Sequence, residues 1–177
     1  MRKLKLDELN RIHPNAYAEA PKHPVVVILD NIRSKNNVGA IFRTCDAFRV
    51  EGMLLCGYTP TPPHRDIAKT ALGAETTVEW RQESDAVAAV QRLKAEGYRI
   101  ACLEQAEGST SLPDFAPTGQ DKIALVLGNE VEGVQQAVID IADLCLEIPQ
   151  FGTKHSFNVS VAAGIALYGC VMPMVKV

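Results

Sequence analysis

No two of the five cysteines (Cys45, Cys56, Cys102, Cys145 and Cys170) form a C-x-x-C pair, and no histidine stands at metal-ligand spacing from them. A zinc site is excluded on that pattern, and no metal is expected. Each cysteine sits among apolar neighbours, as buried free thiols do, and the odd count without a secretory start fits a reducing, cytoplasmic setting. A G-x-G-x-x-G after the first apolar run is also missing, which counts against a generic dinucleotide-binding domain. There is no cationic excess either: 18 Lys and Arg face 21 Asp and Glu, a net charge of −3, so nucleic acid would not be gripped by bulk charge. A local patch remains, because Arg2, Lys3, Lys5, Arg11 and Lys22 gather ahead of the first apolar run. Charge is absent from Ser156 to Val175, a stretch about long enough to cross a bilayer. Ser156, Asn158 and Ser160 crowd its first turn, Ala and Gly fill its middle and Pro173 lies near its end, so it reads as a buried helix of a soluble protein, with no membrane partner.

What is present is the material of one globular domain: 177 residues, 47% hydrophobic and 22% charged. Residues 1–23 read as a short arm, with Leu6, Leu9 and Ile12 at three-residue spacing and Pro14 ending any helix there. Residues 24–177 read as a single domain. Its first segment, Val25 to Leu29, is a continuous β-branched and apolar run, the signature of a strand covered on both faces and hence of a parallel sheet. Similar runs recur at Gly52–Cys56, Thr76–Trp80, Arg99–Leu103, Ile123–Leu127 and Leu144–Ile148. Helical stretches alternate with them: Val38–Phe48, Ser84–Glu96 with Ser84 as cap, Val131–Ile141 and the uncharged C-terminal segment. The expectation is an α/β fold, a parallel sheet flanked by helices. Two loops, the Pro-rich Thr59–His64 and Gly108–Gln120 with its Ser, Pro and Gly residues, follow strands and are placed to frame a site at their carboxyl ends.

Three segments carry polar groups that strand and helix formation alone does not ask for. The first runs from Asn31 through Arg33, Ser34, Lys35, Asn36 and Asn37 to Arg43; it offers backbone N–H groups and cations to a phosphate, or is an ordinary turn capped by Asn36 or Asn37. The second ends a strand at Gly128 and sets Asn129 and Glu130 at its carboxyl end, where an acid also suits a helix dipole. In the third, a Gly-containing loop with Lys154 and His155 leads to a helix opening Ser156-x-Asn158-x-Ser160; Ser156 can cap it, but Asn158 and Ser160 are poor choices inside a helix unless something satisfies them. The Ala162-Ala163-Gly164 stretch then invites another backbone or helix to approach closely.

In order, N-N-V-G-A-I-F-R-T-C-D-A-F (36–48), L-V-L-G-N-E-V-E-G-V (125–134) and I-P-Q-F-G-T-K-H-S-F-N-V-S-V-A-A-G-I (148–165) resemble the three signature motifs of the SpoU, or TrmH, family of RNA 2'-O-ribose methyltransferases. The resemblance implies a parallel sheet with a deep C-terminal trefoil knot, an exception to the rule that chains avoid knots. It implies S-adenosylmethionine as cofactor, held by Leu103, Gly128, Ile148, Ser156 and Phe157. It implies a homodimer whose active site combines both subunits, with Arg43, Asn37, Glu130, Ser156 and Asn158 as catalytic residues. The substrate it implies is RNA, tRNA ahead of rRNA, with Arg33, Lys35, Lys154 and His155 beside the motifs as RNA contacts and His64, Arg65 and Lys69 behind them.

Because a guanidinium stays protonated in proteins, Arg43 is expected to bind an RNA phosphate and orient the hydroxyl rather than act as the base, with Asn37 positioning it. The acidic balance leaves room for a partner protein that supplies RNA-binding surface. The competing readings are a related transferase acting on a base or on a non-RNA substrate, and a catalytically idle knotted RNA-binding dimer. The latter would have lost Asn37, Arg43 or Asn158, and all are present.

Overall fold

The computed structural model describes residues 1–175, apart from the side chain of Leu6; residues 176 and 177, the end of the expected domain, lie outside the described residues. Seven strands form one parallel sheet: β1 (His23–Asp30), β2 (Val50–Cys56), β3 (Trp80–Glu83), β4 (Arg99–Leu103), β5 (Thr110–Ser111), β6 (Ile123–Leu127) and β7 (Leu144–Glu147), in the spatial order β3-β2-β1-β6-β4-β7-β5. The apolar runs exist because the sheet is covered twice. Val25, Val27 and Leu29 of β1 face one core layer, while Val26 and Ile28 face the other. The first layer is built from α2 (Lys35–Ala47), α3 (Arg65–Ala71) and α6 (Val159–Val171), through residues such as Ile41, Phe42, Ile67, Ala166 and Leu167. The second is built from α4 (Ala86–Ala95) and α5 (Gln136–Ile139), through Ala89, Val90, Leu93 and Val138. Among the described residues no helix is long and apolar enough to cross a membrane.

Several elements differ from expectation, each for a local reason. The run Thr76–Trp80 is not a strand: a 3-10 turn occupies Ala74–Thr76, and the strand begins at Trp80. The caps shift too. Asp85 rather than Ser84 caps α4, its carboxylate reaching the N–H groups of both Val87 (3.3 Å) and Ala88 (2.9 Å). Ser34 rather than Asn36 or Asn37 caps α2, accepting from the Asn37 N–H at 3.3 Å. Asn158 rather than Ser156 caps α6. The helix expected over Val131–Ile141 shrinks to α5, because a turn closed by paired Asn129 and Gly133 backbone bonds takes up its first residues and Gly133 adopts φ +72°. Pro14 opens a short helix, α1 (Pro14–Tyr17), instead of ending one. Tyr17 then docks the arm: it is buried in the first core layer, and its hydroxyl donates to the carbonyl of Asp46 at 3.3 Å. Of the two glycines of α6, Gly169 is the one crowded within the chain, where a Cβ would meet the Leu112 side chain, while Gly164 has room for one.

Candidate active site

The carboxyl ends of β6, β4 and β7, neighbours in the sheet, open into a cavity of about 430 Å³. Strand ends in such a sheet are the expected place for a ligand. Leu103, Leu127, Leu146, Ile148, Phe157 and Val159 give it apolar walls, and Glu104, Gln105, Asn129, Glu130 and Gln150 contribute polar groups. Gly128, Ser156 and Asn158 also line it, so the residues singled out for the cofactor, Leu103, Gly128, Ile148, Ser156 and Phe157, come together around one space.

At the rim, side chains from the three polar segments are joined. The Glu130 carboxylate accepts from the backbone N–H groups of Arg33 (2.9 Å) and Ser34 (3.1 Å) and from the Asn37 amide (3.0 Å). Asn37 Oδ1 in turn accepts from the Asn158 amide at 3.2 Å, and Asn158 Oδ1 accepts from the Ser160 N–H (2.9 Å) and hydroxyl (2.6 Å). Asn158 and Ser160, poor choices inside a helix, are thus satisfied by each other, by Asn37 and by helix capping. Partial burial pushes the Glu130 carboxyl up, but the Arg33 N–H, the Asn37 amide and the Ser34 N–H outweigh it, leaving it below the ordinary glutamate range. The acceptor form needed by the relay is therefore present at neutral pH and is lost only as pH falls below that range.

Other expected residues stand apart. Arg43 is exposed and, among the described residues, makes no side-chain hydrogen bond or ion pair and does not line the cavity. Asn37, expected to position it, donates to Glu130 and accepts from the Asn158 amide instead. Arg33, Lys35, Lys154 and His155 are exposed, the last held through its carbonyl by the Gln105 amide at 2.7 Å. His64 caps α3, its Nδ1 accepting from the Asp66 N–H at 3.1 Å; Arg65 and Lys69 are exposed. The five cysteines are free thiols, and no metal-holding group occurs among the described residues.

Sequence reasoning named Asn129 but missed the bonds that hold the Gly128–Gln135 turn in place, and with them the parts played by Glu104 and Asp30. Asn129, 7% exposed, donates to the Asn31 carbonyl (2.7 Å) and the Tyr58 hydroxyl (2.8 Å) while accepting from the N–H groups of Val131 (2.8 Å) and Glu132 (3.1 Å). Glu104 accepts from the Val134 N–H at 3.0 Å, and fully buried Asp30 accepts from the Gln135 N–H at 3.0 Å and its side-chain amide at 2.5 Å. One signal was available: Asp30 ends an otherwise apolar strand, and a buried carboxylate requires donors.

The model of the SpoU rRNA Methylase family matches residues 24–168. The chain is 32% identical over 148 residues to the 23S rRNA (guanosine-2'-O-)-methyltransferase RlmB of Neisseria meningitidis, covering 81% of this chain but only 56% of that relative. Among solved structures it resembles the TrmH/SpoU tRNA modifying enzyme of A. aeolicus (28% identity, TM-score 0.78, 88% of this chain and 78% of that one). It also resembles an AdoMet-bound rRNA methyltransferase from Sinorhizobium meliloti (26% identity, TM-score 0.78, 89% and 57%). With the match spanning most of its length, the chain belongs to the SpoU rRNA methylase family.

Proposed function

We propose that this chain methylates a ribose 2'-hydroxyl of RNA, drawing on S-adenosylmethionine, with tRNA as the first substrate to test and rRNA as the second. The observation that carries the reading is the relay from Glu130 through Asn37 to Asn158, which ties the three motif segments together at the mouth of the cavity. Relatives support the chemistry: the Neisseria protein is named for 2'-O-methylation of guanosine in rRNA, and the A. aeolicus one modifies tRNA.

The cavity suits the cofactor. Its volume, about 430 Å³, lies in the range that encloses small organic ligands, and apolar walls with a few convergent polar groups match an adenosine-bearing molecule. Leu103, Ile148 and Phe157 would hold its apolar parts, with the backbone around Gly128 and Ser156 beside them. When bound, the cofactor supplies an electrophilic sulfonium methyl.

The protein's task is then to align a hydroxyl with that methyl and to provide for loss of the hydroxyl proton. Exposed Arg43 binds an RNA phosphate and orients the ribose, and the phosphate or a second group takes the proton, because a guanidinium cannot. A homodimer brings one subunit's Arg43 to the other's cavity. In support, α6 and the turn after it carry a solvent-facing stripe of Val161, Tyr168 and Met172, an apolar face fit for a second copy. A C-terminal trefoil knot belongs to the same reading; its support is that the chain returns from β7, one strand from the sheet edge, to an α6 packed on β1, β6 and α2 and on the turn at Leu112–Asp114. The division into an arm (1–23) and a catalytic domain rests on Tyr17 being the arm's buried anchor, and a cytoplasmic setting on the free, mostly buried cysteines. Exposed Arg33, Lys35, Lys154 and His155 supply RNA contacts, and a partner protein would add to them.

The test is incubation of the purified protein with methyl-labelled S-adenosylmethionine and separated cellular tRNA and rRNA, followed by nucleoside analysis. A 2'-O-methylated nucleoside that disappears with Arg43→Ala is the expected result. Cofactor binding without label in either RNA would favour the idle RNA-binding reading.

A further inference from the structure

Resting on the reading above, we propose that Tyr58 is a stacking platform for an unpaired RNA base beside the target ribose. Large aromatic side chains are normally withdrawn from water, yet Tyr58 is 60% exposed. It is not loose. Gly57 before it takes φ +61° against the Asn31 side chain and leaves no room for a Cβ, and its N–H donates to the Glu83 carbonyl at 3.0 Å. The Tyr58 N–H donates to Asn31 Oδ1 at 3.2 Å. Thr59 after it is buried, its hydroxyl donating to the Leu29 carbonyl at 3.0 Å and accepting from the Ile32 N–H at 3.1 Å. At the far end of the ring the hydroxyl accepts from the Asn129 amide at 2.8 Å. Both ends of the side chain are therefore fixed while its ring stays in solvent, so a base that stacks there does not have to order it.

Its position relates it to the chemistry. Asn129 is the residue before Glu130, the acid at one end of the relay, and lines the cavity, so the ring is one hydrogen bond from the cavity wall. Two more exposed side chains flank the same turn: Arg33, whose N–H is bound to Glu130, and Val131, 76% exposed, whose N–H is bound to Asn129. An exposed aromatic, an apolar edge and a planar cation together suit a base and its phosphate, since every base has a π-face and stacking needs no particular sequence. Sequence discrimination would have to come from elsewhere.

The test compares Tyr58→Ala and Tyr58→Phe with the parent protein in filter retention of a labelled pool of cellular small RNA, with S-adenosylmethionine affinity measured by calorimetry on the same samples. Tyr58→Ala should weaken RNA retention about tenfold, within the range for loss of one stacked base, and raise KM for RNA without altering cofactor affinity. Tyr58→Phe, which keeps the ring but not the bond to Asn129, should retain RNA like the parent. Equal retention by Tyr58→Ala, or an equal loss in Tyr58→Phe, overturns the platform, the second assigning Tyr58 to the support of Asn129. Methyl transfer by the parent with no effect of Tyr58→Ala would sink the platform alone, whereas Tyr58-dependent retention without transfer would sink the methyltransferase reading alone.

Discussion

The cavity has two unlike walls. The turn from Gly128 to Gln135 is bonded at nearly every residue: to itself through Asn129 and Gly133, to Asn31 and Tyr58 through the Asn129 amide, to Glu104 through Val134 and to Asp30 through Gln135. The other side is reached by the stretch from Phe151 to Phe157, of which Ser156 and Phe157 line the cavity; the stretch is exposed throughout, and its one hydrogen bond among the described residues runs from the Gln105 amide to the His155 carbonyl. Phe151 is 98% exposed. One wall is complete in the isolated chain, and the other is fit to be completed by ligand, RNA or a second subunit. Preorganisation is thus concentrated where the acid of the relay is held, and the Phe151–Phe157 stretch is left almost unbonded.

The built wall should be the fragile one. Gly128→Ala would drive a Cβ into the backbone of Gly133 and Val134, atoms that cannot step aside as a flexible side chain would. Thermal and urea unfolding should show a loss of about 3 kcal/mol, the upper part of the range for overpacking, together with lost cofactor affinity. Wild-type stability in this variant would mean the turn is softer than its bonding suggests. Asp30→Ala strands the Gln135 N–H and amide and the Asn31 amide, and should cost about 2 kcal/mol in urea unfolding. Phe151→Ala, in the exposed stretch that leads to Ser156 and Phe157, should stay within about 0.5 kcal/mol of the parent. A larger stability loss there, at protein concentrations that keep the chain monomeric, would erase the contrast between the walls.

The sequence conveyed these two walls unequally. Strands such as Val25–Leu29 and Ile123–Leu127 were legible because burial on both faces leaves an unbroken apolar run. Of the residues gathered around the cavity, Gly128, Ile148, Ser156 and Phe157 were legible as motif positions, whereas Leu103 lies outside the motifs. Their connections were not, since Asn37 meets Glu130 across 93 positions and Asn158 across 121, and no local pattern encodes such pairings. The shortened α5 was misjudged because the apolar spacing after Val131 suits a helix equally well, while the competing Asn129–Gly133 turn depends on Glu104 and Asp30, distant in sequence. The cap at Asp85 went to a neighbour of the expected Ser84 because a carboxylate has two oxygens to offer two N–H groups.

The relay is the central claim, and a double-mutant cycle on methyl transfer tests it most directly. Asn37→Ala and Asn158→Ala should each lower kcat for RNA methylation while leaving the unfolding free energy within about 1 kcal/mol of the parent. If the two act as one unit, the double variant should be no slower than the worse single one. Losses that multiply would contradict the account, showing that Asn37 and Asn158 serve separate tasks and that their hydrogen bond does not carry the function.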